Sequence, residues 1–419
     1  MKVVGIIAEY NPFHNGHAYQ IRYAKEILKA DYIVVAMSGD FVQRGAPALL
    51  GKHTRAEMAL LGGADLVLEL PVSTATASAE AFAQGGVSLL DGLGIVDELC
   101  FGCECGDTSV LMKIAEILVK EPPFYREILQ DNLRRGMTFP AARSNALEAY
   151  LTRSSASGQG FIQDSGQILS SPNNILGIEY CKAILRLKSS IKPAALLRKG
   201  QGYHDAEIIK DSFPSASAIR SLLKDPQDPG THTVLSSLIP PESLPPFTDS
   251  LKKNAMVFES HFDLLLHYKL LTETSDSLSR YEILSDALIR RILKFRNQYQ
   301  GFSQFADLLK TRDITRTAVN RGLLHILLGL TEKAPGQIPY ARVLGFRKSS
   351  SSLMGTVKKQ GRIPLITKPA DGEKLLSAND YDLFLETCNA SNIYQAVSAA
   401  QSGLPFVHEM EKQIRITLK

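Results

Sequence analysis

Mainly apolar runs alternate with amphipathic helical patterns over the first part of this chain. The apolar runs lie at residues 2–8, 32–37, 65–70 and 96–101. Stretches with the spacing of a helix that has one apolar face lie at 16–29, 53–62 and 78–91. Continuous apolar runs are typical of strands buried on both faces, and intervening helices are typical of parallel connections. The pattern therefore predicts an α/β fold with an open, doubly wound parallel sheet.

The next part of the chain is mostly helical in pattern, over residues 108–190. A further apolar run at 193–198 predicts one more strand. The segment FPSASAIRSLL at 213–223 predicts a helix start, because Ser215 or Ser217 can cap the first turn.

A proline-rich stretch at residues 225–247 is the best candidate for a domain boundary. Residues 255–330 are strongly helical in pattern, and a short strand is predicted at 362–367. A chain of 419 residues is longer than one ordinary core requires. We therefore expect two domains, a sheet domain at 1–225 and a mainly α-helical domain at 226–419.

The composition is that of a globular protein, with 44% hydrophobic and 21% charged residues. A formal net charge of +4 permits a polyanionic partner without requiring one. The sequence has no apolar stretch of membrane-spanning length, and its N-terminus lacks a signal-peptide pattern. Five cysteines without a disulfide-like framework suit a reducing compartment. We expect a cytoplasmic protein that does not act at a membrane.

A pair of histidines follows the first predicted strand, in the segment His14-Asn15-Gly16-His17. Open parallel sheets bind ligands at this edge, where a helix N-terminus offers unpaired N–H groups to an anion. Rings three residues apart share one face of a helical turn and can reach the same phosphate. The motif alone leaves open a helix cap with a surface histidine, or a metal site. No cluster of Cys, Asp or Glu at ligand spacing accompanies the pair, so we expect no metal site.

The segment CFGCECGD contains three of the cysteines, Cys100, Cys103 and Cys105. A Cys-x-x-Cys pair is one half of many zinc sites. No second pair or suitably spaced histidine completes four ligands, so the pattern favours structural thiols over zinc.

Further candidate contacts to phosphate or magnesium follow from position along the predicted sheet. Asp40 ends the second strand, where a carboxylate can hold a metal ion or orient a substrate group. Lys52 and Arg55 open the following helix, and Ser215 and Ser217 open a later one. The alternatives are a turn aspartate, surface charges and ordinary helix caps.

Two basic segments are candidates for binding RNA. The first opens an apolar helical pattern and contains Lys310, Arg312, Arg316 and Arg321. Arg312 and Arg316 share a helical face only if the helix already includes both residues. The second segment covers residues 345–362. Clustered cations bind RNA phosphates, but a solvated helix face carries the same pattern.

Two short motifs resemble the signatures of the nucleotidyltransferase superfamily. His14-x-Gly16-His17 is similar to its HxGH motif, and SASAIR at 215–220 is similar to its serine-rich second signature, with Arg220. Longer segments resemble a narrower family, the bacterial tRNA(Met) cytidine acetate ligases. These segments, spread over residues 8–346, are AEYNPFHNGH, MSGDFVQRG, LELP, FGCE, SPNNILGIEY, RKGQGYHD, SASAIR and ARVLGF.

The resemblance implies a Rossmann-like nucleotidyltransferase domain at 1–225 that binds ATP together with Mg²⁺. The domain at 226–419 would help to hold tRNA. In the implied reaction, acetate attacks the α-phosphate of ATP and gives acetyl-adenylate. The acetyl group then passes to the wobble cytidine of elongator tRNA(Met), giving N4-acetylcytidine. The alternatives are a small-molecule adenylyltransferase and a non-catalytic RNA-binding protein on a nucleotide-binding fold.

The resemblance also implies which residues form the site. His14, His17 and Arg220 would contact the phosphates during catalysis. The implied ATP-binding residues are Ile7, Ala8, Glu9, Tyr10, Asn11, Pro12, Phe13, His14, Asn15, Gly16, His17, Ala18, Tyr19, Gln20, Gly102, Asn173 and Arg198. Ordinary interpretations remain for several of them, namely a turn glycine, a helix cap and solvated arginines.

Overall fold

A computed structural model describes residues 1–156, 165–198, 215–224 and 231–418 of the chain. Its strands are β1 (Val3–Ala8), β2 (Tyr32–Ser38), β3 (Phe41–Val42), β4 (Ala46–Pro47), β5 (Leu66–Leu70), β6 (Glu98–Cys103), β7 (Lys192–Leu197), β8 (Ala341–Arg347), β9 (Leu365–Ile366) and β10 (Arg415–Thr417). The five longer strands predicted from apolar runs are all present, each within about two residues of its predicted bounds. The strand predicted at 362–367 is reduced to β9.

Helices fill most of the remaining described chain. They are α1 (Asn15–Glu26), α2 (Lys52–Leu61), α3 (Val72–Ala75), α4 (Ala79–Gly92), α5 (Thr108–Lys120), α6 (Pro123–Arg134), α7 (Phe139–Ala156), α8 (Ser165–Ser170), α9 (Pro172–Leu187), α10 (Ala216–Lys224), α11 (Thr231–Leu238), α12 (Leu244–Lys252), α13 (Asp263–Thr272), α14 (Ser275–Leu278), α15 (Asp286–Phe295), α16 (Phe302–Leu309), α17 (Arg316–Leu328), α18 (Ser351–Gln360), α19 (Gly372–Leu375) and α20 (Ala378–Ser402). Within the described residues, none of these helices combines the length and apolar character needed to cross a membrane.

The main sheet has the strand order β10-β8-β5-β2-β1-β6-β7, with β9 beside β8. The central strands β5, β2, β1, β6 and β7 are mutually parallel, and β8 runs antiparallel to β5. The register places Val3 opposite Tyr32 and Val4 opposite Glu98. The chain passes from β1 to β2 and β5 on one side and then returns to β6 and β7 on the other side of β1. This reversal creates a switch point at the carboxyl end of β1, which is where open parallel sheets bind ligands. The doubly wound sheet predicted from the apolar runs is confirmed.

Alternate residues of the central strand pack into different cores. Val3 and Ile7 belong to a cluster with α4, α5 and α9, whereas Val4 and Ile6 belong to a cluster with α1, α2 and α12. This period of two follows from the pleat of a strand that is covered on both faces. A third cluster joins helices α13 to α17 with Phe41 of β3.

The C-terminal region is mainly helical, but it also contributes strands to the main sheet. β8 pairs with β5, and β10 pairs with β8. β8 and β10 approach each other closely at Gly345. A side chain at this position would lie 2.5 Å from the carbonyl oxygen of Arg415. The sheet therefore extends across the domain boundary predicted at residue 225. Part of that predicted break, residues 225–230, lies outside the described residues.

Candidate active site

A cavity of about 260 Å³ opens at the carboxyl ends of β1, β6 and β7, beside the N-termini of α1 and α10. Its lining includes sixteen residues that were predicted as site residues and that come from distant parts of the sequence. These are Ile7, Ala8, Glu9, Tyr10, Asn11, His14, Gly16, His17, Tyr19, Gln20, Gly102, Asn173, Arg198, Ser215, Ser217 and Arg220. All three residues predicted to act in catalysis are among them.

Other lining residues were not predicted from the sequence. They are Gln43, Arg44, Phe82, Phe101, Leu176, Tyr180, Leu196, Leu197 and Ala216. Phe101, Leu196 and Leu197 end β6 and β7, so the switch-point rule identifies their strand ends without naming the side chains. Gln43 and Arg44 lie in the turn between β3 and β4, in the segment MSGDFVQRG. The only sequence feature that could have indicated them is a pair of polar residues before a glycine.

Four residues of the predicted ATP-binding segment do not line the cavity: Pro12, Phe13, Asn15 and Ala18. Phe13 is fully buried and packs beneath the loop, where its ring meets Tyr10 edge-on at a centroid distance of 4.9 Å. The side-chain amide of Asn15 donates to the carbonyl of Ser237 at 2.7 Å, which ties α1 to the end of α11. These residues shape the loop from outside the cavity.

The two histidines form a reciprocal cap at the start of α1. Nδ1 of His14 accepts a hydrogen bond from the backbone N–H of Gly16 at 3.0 Å. Nδ1 of His17 accepts from the backbone N–H of His14 at 3.3 Å. The rings lie nearly face to face, with centroids 3.8 Å apart and planes inclined by 32°. The same rings therefore cap the helix and line the cavity.

Burial and nearby arginines keep both rings neutral. Burial lowers the pKa of His14 to about 3, assisted by the positive charges of Arg198 and Arg220. The pKa of His17 is held well below its usual value by burial, by His14 and by Arg198. Because each Nδ1 accepts a hydrogen bond, the single proton of each neutral ring resides on Nε2. Each ring therefore offers one N–H donor through the nitrogen that is not used in capping.

Arg220 connects α10 to the loop that follows β1. Its Nη1 donates to the carbonyl of Asn11 at 2.7 Å, and its Nη2 donates to the hydroxyl of Ser217 at 3.0 Å. Ser215 caps the helix, since its hydroxyl accepts from the N–H of Ala218 at 3.2 Å. Asn11 is itself fixed, because its side-chain oxygen accepts from the N–H of Leu49 at 2.8 Å. Both helix N-termini are thus held at the same edge of the sheet.

The opposite wall of the cavity is built around Gly102 and Asn173. A side chain at Gly102 would lie 3.2 Å from Cγ of Arg198, so a larger residue would crowd that arginine. The amide of Asn173 donates to Glu104 at 2.6 Å, and the same carboxylate accepts from the N–H of Asn174 at 2.8 Å. Asn173 is thus held at the start of α9. Residues 199–205, which complete the segment RKGQGYHD, lie outside the described residues.

The structure does not bring Asp40 or Lys52 to the cavity as phosphate or magnesium contacts. Nζ of Lys52 lies 2.6 Å from Glu69 and 3.0 Å from Glu409, with the side chain fully buried. Asp40 accepts from the backbone N–H of Lys52 at 2.7 Å. Burial and Arg342 would lower the pKa of Lys52, but the surrounding carboxylates outweigh them and raise it. The lysine is committed to an internal ion network.

Arg55 is likewise buried outside the cavity, although it supports the loop that lines it. Nε donates to the carbonyl of Leu50 at 2.8 Å, and Nη1 donates to the carbonyl of Glu9 at 2.5 Å. Nη2 donates to the carbonyl of Gly39. These contacts join the ends of β1 and β2, so the residue acts in positioning the loop rather than in contact with a ligand.

The basic residues of the first candidate RNA segment have different environments. Lys310 and Arg316 both form ion pairs with Asp307, at 3.1 and 2.6 Å. Thr315 caps α17, which begins only at Arg316. Arg312 is exposed in the preceding loop, so the condition for a shared helical face with Arg316 is not met. Burial lowers the pKa of Arg321, whose guanidinium is largely covered.

The cysteine segment ends β6 beside the cavity. Sγ of Cys105 donates to Sγ of Cys103 at 3.9 Å, and the N–H of Gly106 donates to the same sulfur at 3.2 Å. Across the described residues, no group of three His, Cys, Asp or Glu side chains is arranged to hold a metal ion.

Comparison with known proteins agrees with this geometry. A family model described as HIGH Nucleotidyl Transferase matches residues 1–404. The chain is 40% identical to a tRNA(Met) cytidine acetate ligase of Acetivibrio thermocellus over 88% of this chain and 89% of that protein. It is 38% identical to the tRNA(Met) cytidine acetate ligase of Clostridium acetobutylicum over 96% and 98% of the two chains.

Solved structures give the same result along the whole chain. Apo Thermotoga maritima TmcAL superposes with a TM-score of 0.92 at 28% identity and full coverage of both chains. Thermotoga maritima TmcAL bound with alpha-thio ATP superposes with a TM-score of 0.87 at 29% identity, again with full coverage. Together with the histidine-lined cavity at the switch point, these matches show that the chain belongs to the HIGH nucleotidyl transferase family and, within it, to the family of the tRNA(Met) cytidine acetate ligases.

Proposed function

We propose that this protein joins acetate to ATP as acetyl-adenylate and transfers the acetyl group to the wobble cytidine of elongator tRNA(Met). The names of the similar ligases support the tRNA substrate and the acetyl transfer. The TmcAL structure with alpha-thio ATP supports ATP as the nucleotide. The product is N4-acetylcytidine.

The observation that carries the proposal is the convergence of the histidine pair and Arg220 on one cavity between two helix N-termini. An oxygen of acetate forms a bond to the α-phosphorus, and the bond from that phosphorus to the bridging oxygen of pyrophosphate breaks. Negative charge grows on the transferred phosphate and on the leaving group. Neutral Nε2–H donors and a fixed guanidinium stabilise this charge without a proton transfer.

The nucleotide would lie across the carboxyl edge of the sheet. The adenosine would lie against the backbone at Gly102 near Asn173, with its phosphates toward His14 and His17. Mg²⁺ would reach the site bound to the phosphates. Glu9 is the one carboxylate among the described lining residues, and a single carboxylate with phosphate oxygens is a common magnesium environment.

In the second step, the exocyclic amine of cytidine attacks the acetyl carbon, AMP leaves with the bonding electron pair, and the amine releases a proton. Reaching that amine requires the wobble base to leave its stack, as in other enzymes that modify a base. We propose that the basic segments at 310–321 and 345–362 hold the tRNA backbone. Exposed Arg312 in the first segment supports this assignment.

Incubation with ATP, magnesium, labelled acetate and unmodified elongator tRNA(Met), followed by mass spectrometry of the nucleosides, tests the proposal. We expect acetylcytidine that requires both acetate and ATP. The double variant His14→Ala/His17→Ala should lose at least about 100-fold in rate, since removing one such donor commonly costs 100-fold or more. The matched control His267→Ala, on α13, should act like the wild type.

A different outcome would identify the competing function. Release of pyrophosphate together with a stable dinucleotide-like product, and no modified cytidine, would replace the ligase by a small-molecule adenylyltransferase. RNA binding without consumption of ATP would replace it by a non-catalytic RNA-binding protein.

A further inference from the structure

The turn between β3 and β4 carries two polar side chains into the cavity, Gln43 and Arg44. The turn closes through the N–H of Gly45, which donates to the carbonyl of Val42 at 2.9 Å. Gly45 has a φ of +75°, and a side chain there would lie 2.3 Å from the backbone nitrogen of Arg321. The turn therefore rests directly on the backbone of α17, in a position that only glycine allows.

Gln43 fixes the other side of the turn. Its backbone N–H donates to the carboxylate of Glu9 at 3.0 Å, and its side-chain amide donates to the carbonyl of Ala77 at 3.3 Å. The turn is thus held by the loop after β1, by the segment after α3 and by α17. Arg44 follows Gln43 directly, so its backbone has a fixed position before any substrate binds.

The guanidinium of Arg44 approaches that of Arg220 at a shared hydroxyl. Nη1 of Arg44 donates to Oγ of Ser217 at 3.1 Å, and Nη2 of Arg220 donates to the same oxygen at 3.0 Å. The two guanidinium groups therefore meet at one hydroxyl beside the cavity. Guanidinium groups match the oxygens of carboxylates and phosphates, so this part of the cavity suits an anion.

Arg220 and Arg198 are connected to the histidine pair, whereas Arg44 comes from a different part of the chain. Arg220 binds the carbonyl of Asn11 in the loop after β1, and its charge helps to lower the pKa of His14. Arg198 also acts on the pKa of both histidines. Arg198 and Arg220 therefore both lie near the histidines. Arg44 enters from the separate β3–β4 turn and brings a third positive charge to the cavity.

The chemistry of the proposed first step favours a cation beside the incoming acid. Acetate is an anion at neutral pH, and it must approach the anionic triphosphate closely enough to attack the α-phosphorus. A cation beside the incoming carboxylate offsets this repulsion. The planar guanidinium fork also matches the two oxygens of a carboxylate and holds them in one orientation.

We propose that Arg44 binds the carboxylate of acetate and orients it toward the α-phosphate, an inference that rests on the proposed function. Arg44 binds the small carboxylic acid, while Arg198, Arg220 and the histidines bind the nucleotide. The proposal assigns the acid-binding part of the cavity to the β3–β4 turn.

Initial rates of acetylcytidine formation with the complete set of substrates test this assignment. Acetate is varied at saturating ATP and tRNA, and ATP is then varied at saturating acetate. For Arg44→Gln we expect the KM for acetate to rise by about 10- to 100-fold, the loss typical of a charge-assisted hydrogen bond, with the KM for ATP changed by less than about threefold. Arg44→Lys keeps the charge but not the fork and should be intermediate. The control Arg290→Gln, exposed on α15, should leave both constants unchanged.

A raised KM for ATP with an unchanged KM for acetate would overturn the assignment and place Arg44 on the phosphates. Unchanged values of both constants would also overturn it. If Arg44→Gln does not fold, as judged by thermal unfolding, Arg44→Lys supplies the same comparison. Failure of the proposed function is distinguishable, because the wild type itself would then form no acetylcytidine at any concentration of acetate.

Discussion

At the scale of single residues, the histidine pair combines a structural task and a chemical one. The Nδ1 atoms satisfy backbone N–H groups at the start of α1, which leaves Nε2–H of each ring as a donor. A charged imidazolium would lose one of these caps, because a protonated Nδ1 cannot accept a hydrogen bond. The lowered pKa values and the capping geometry therefore favour the same neutral form.

The neutral histidines make stability depend on pH. An unfolded chain protonates His14 near pH 6.5, whereas the folded chain protonates it only near pH 3. The unfolded state therefore binds more protons between these values, and the free energy of unfolding falls as the pH falls below about 6.5. For one histidine this amounts to about 1.4 kcal/mol between pH 7.5 and 5.5.

The variant His14→Asn keeps a capping side chain but removes the titrating ring. Urea titrations at pH 7.5 and 5.5 measure how much unfolding free energy each protein loses on acidification. We expect this loss to be smaller in the variant than in the wild type, by at least about 1 kcal/mol. Equal losses in the two proteins would show that the pKa of His14 is about the same in the folded and unfolded states.

Cys105 is a second residue whose environment changes its chemistry. The hydrogen bond shared with Cys103 and backbone contacts lower the pKa of Cys105 to about 6, while the pKa of buried Cys103 is raised. When Cys105 is ionised, the Cys103 thiol is therefore the donor of that hydrogen bond. We expect alkylation by iodoacetamide to rise with pH through about 6 and then to level off, with Cys105 as the first modified site in peptide mapping. Cys103→Ser serves as the matched variant. A midpoint near pH 8.5, the value of an ordinary thiol, would contradict this environment.

At the scale of elements, the β3–β4 turn illustrates a contact that depends on a missing side chain. Gly45 and Gly329 have almost the same φ, +75° and +73°. A side chain at Gly45 would meet the backbone at Asn320 and Arg321, whereas one at Gly329 would meet no described atom within 4 Å. A substitution at Gly329 therefore tests the positive φ alone, whereas one at Gly45 tests the positive φ together with steric contact.

Gly329→Ala should destabilise the protein by about 1 kcal/mol, the cost of a left-handed conformation for a residue with a side chain. Gly45→Ala also places a side chain on a residue with positive φ and must in addition displace the turn from α17, so we expect a total of about 2–4 kcal/mol. Urea unfolding of both variants at pH 7.5 measures the difference. Similar losses in the two variants would mean that the turn moves away from α17 without cost.

The central strands and the histidine loop could be predicted from the sequence, because their signals are local. Each strand is a run of apolar residues, and the loop carries its own motif. Strands β8 and β10 were missed, since β8 is interrupted by Gly345 and bounded by arginines, and β10 has only three residues. β8 is placed by its pairing with β5, and β10 by its pairing with β8, and no local pattern contains these contacts.

The site predictions differ for the same reason. Helix starts and strand ends correctly indicated the edge of the sheet, but they could not tell a charge in the cavity from one beneath it. Lys52 opens a helix at that edge, yet its side chain enters the core because Glu69 and Glu409 lie there. Arg44 lies in a short turn without a helix or strand pattern of its own. Its approach to Ser217 depends on the tertiary fold.

At the scale of the whole molecule, a buried ion network joins the C-terminal region to the centre of the sheet. Lys52 of α2 and Arg342 of β8 both contact Glu69 of β5. Both also contact Glu409 near the C-terminal end of the chain. Glu409 also contacts His53 at 3.1 Å, although the two residues are 356 positions apart in sequence. Each charge is nearly or fully buried, so the network is stable only when positive and negative groups are all present.

Removing one charge from this network therefore tests how the C-terminal segment is held. Burial alone would raise the pKa of Glu409, but Lys52, His53 and Arg342 outweigh it, so the carboxylate stays ionised at neutral pH. Glu409→Gln leaves the two cations with less compensation in a dry environment. We expect a loss of about 3–5 kcal/mol in the free energy of unfolding at pH 7.5, measured by urea titration.

The exposed pair of Lys253 and Asp249, at 2.7 Å, provides the matched control. Asp249→Asn removes a carboxylate from a comparable distance to a lysine but in water, and should cost less than about 1 kcal/mol. If Glu409→Gln costs no more than this control, the C-terminal segment is held by its apolar contacts rather than by charge. A large loss restricted to Glu409→Gln would instead mean that buried charge holds the C-terminal segment to the sheet. The network would then couple the part of the chain that is proposed to hold tRNA to the strands that position the cavity.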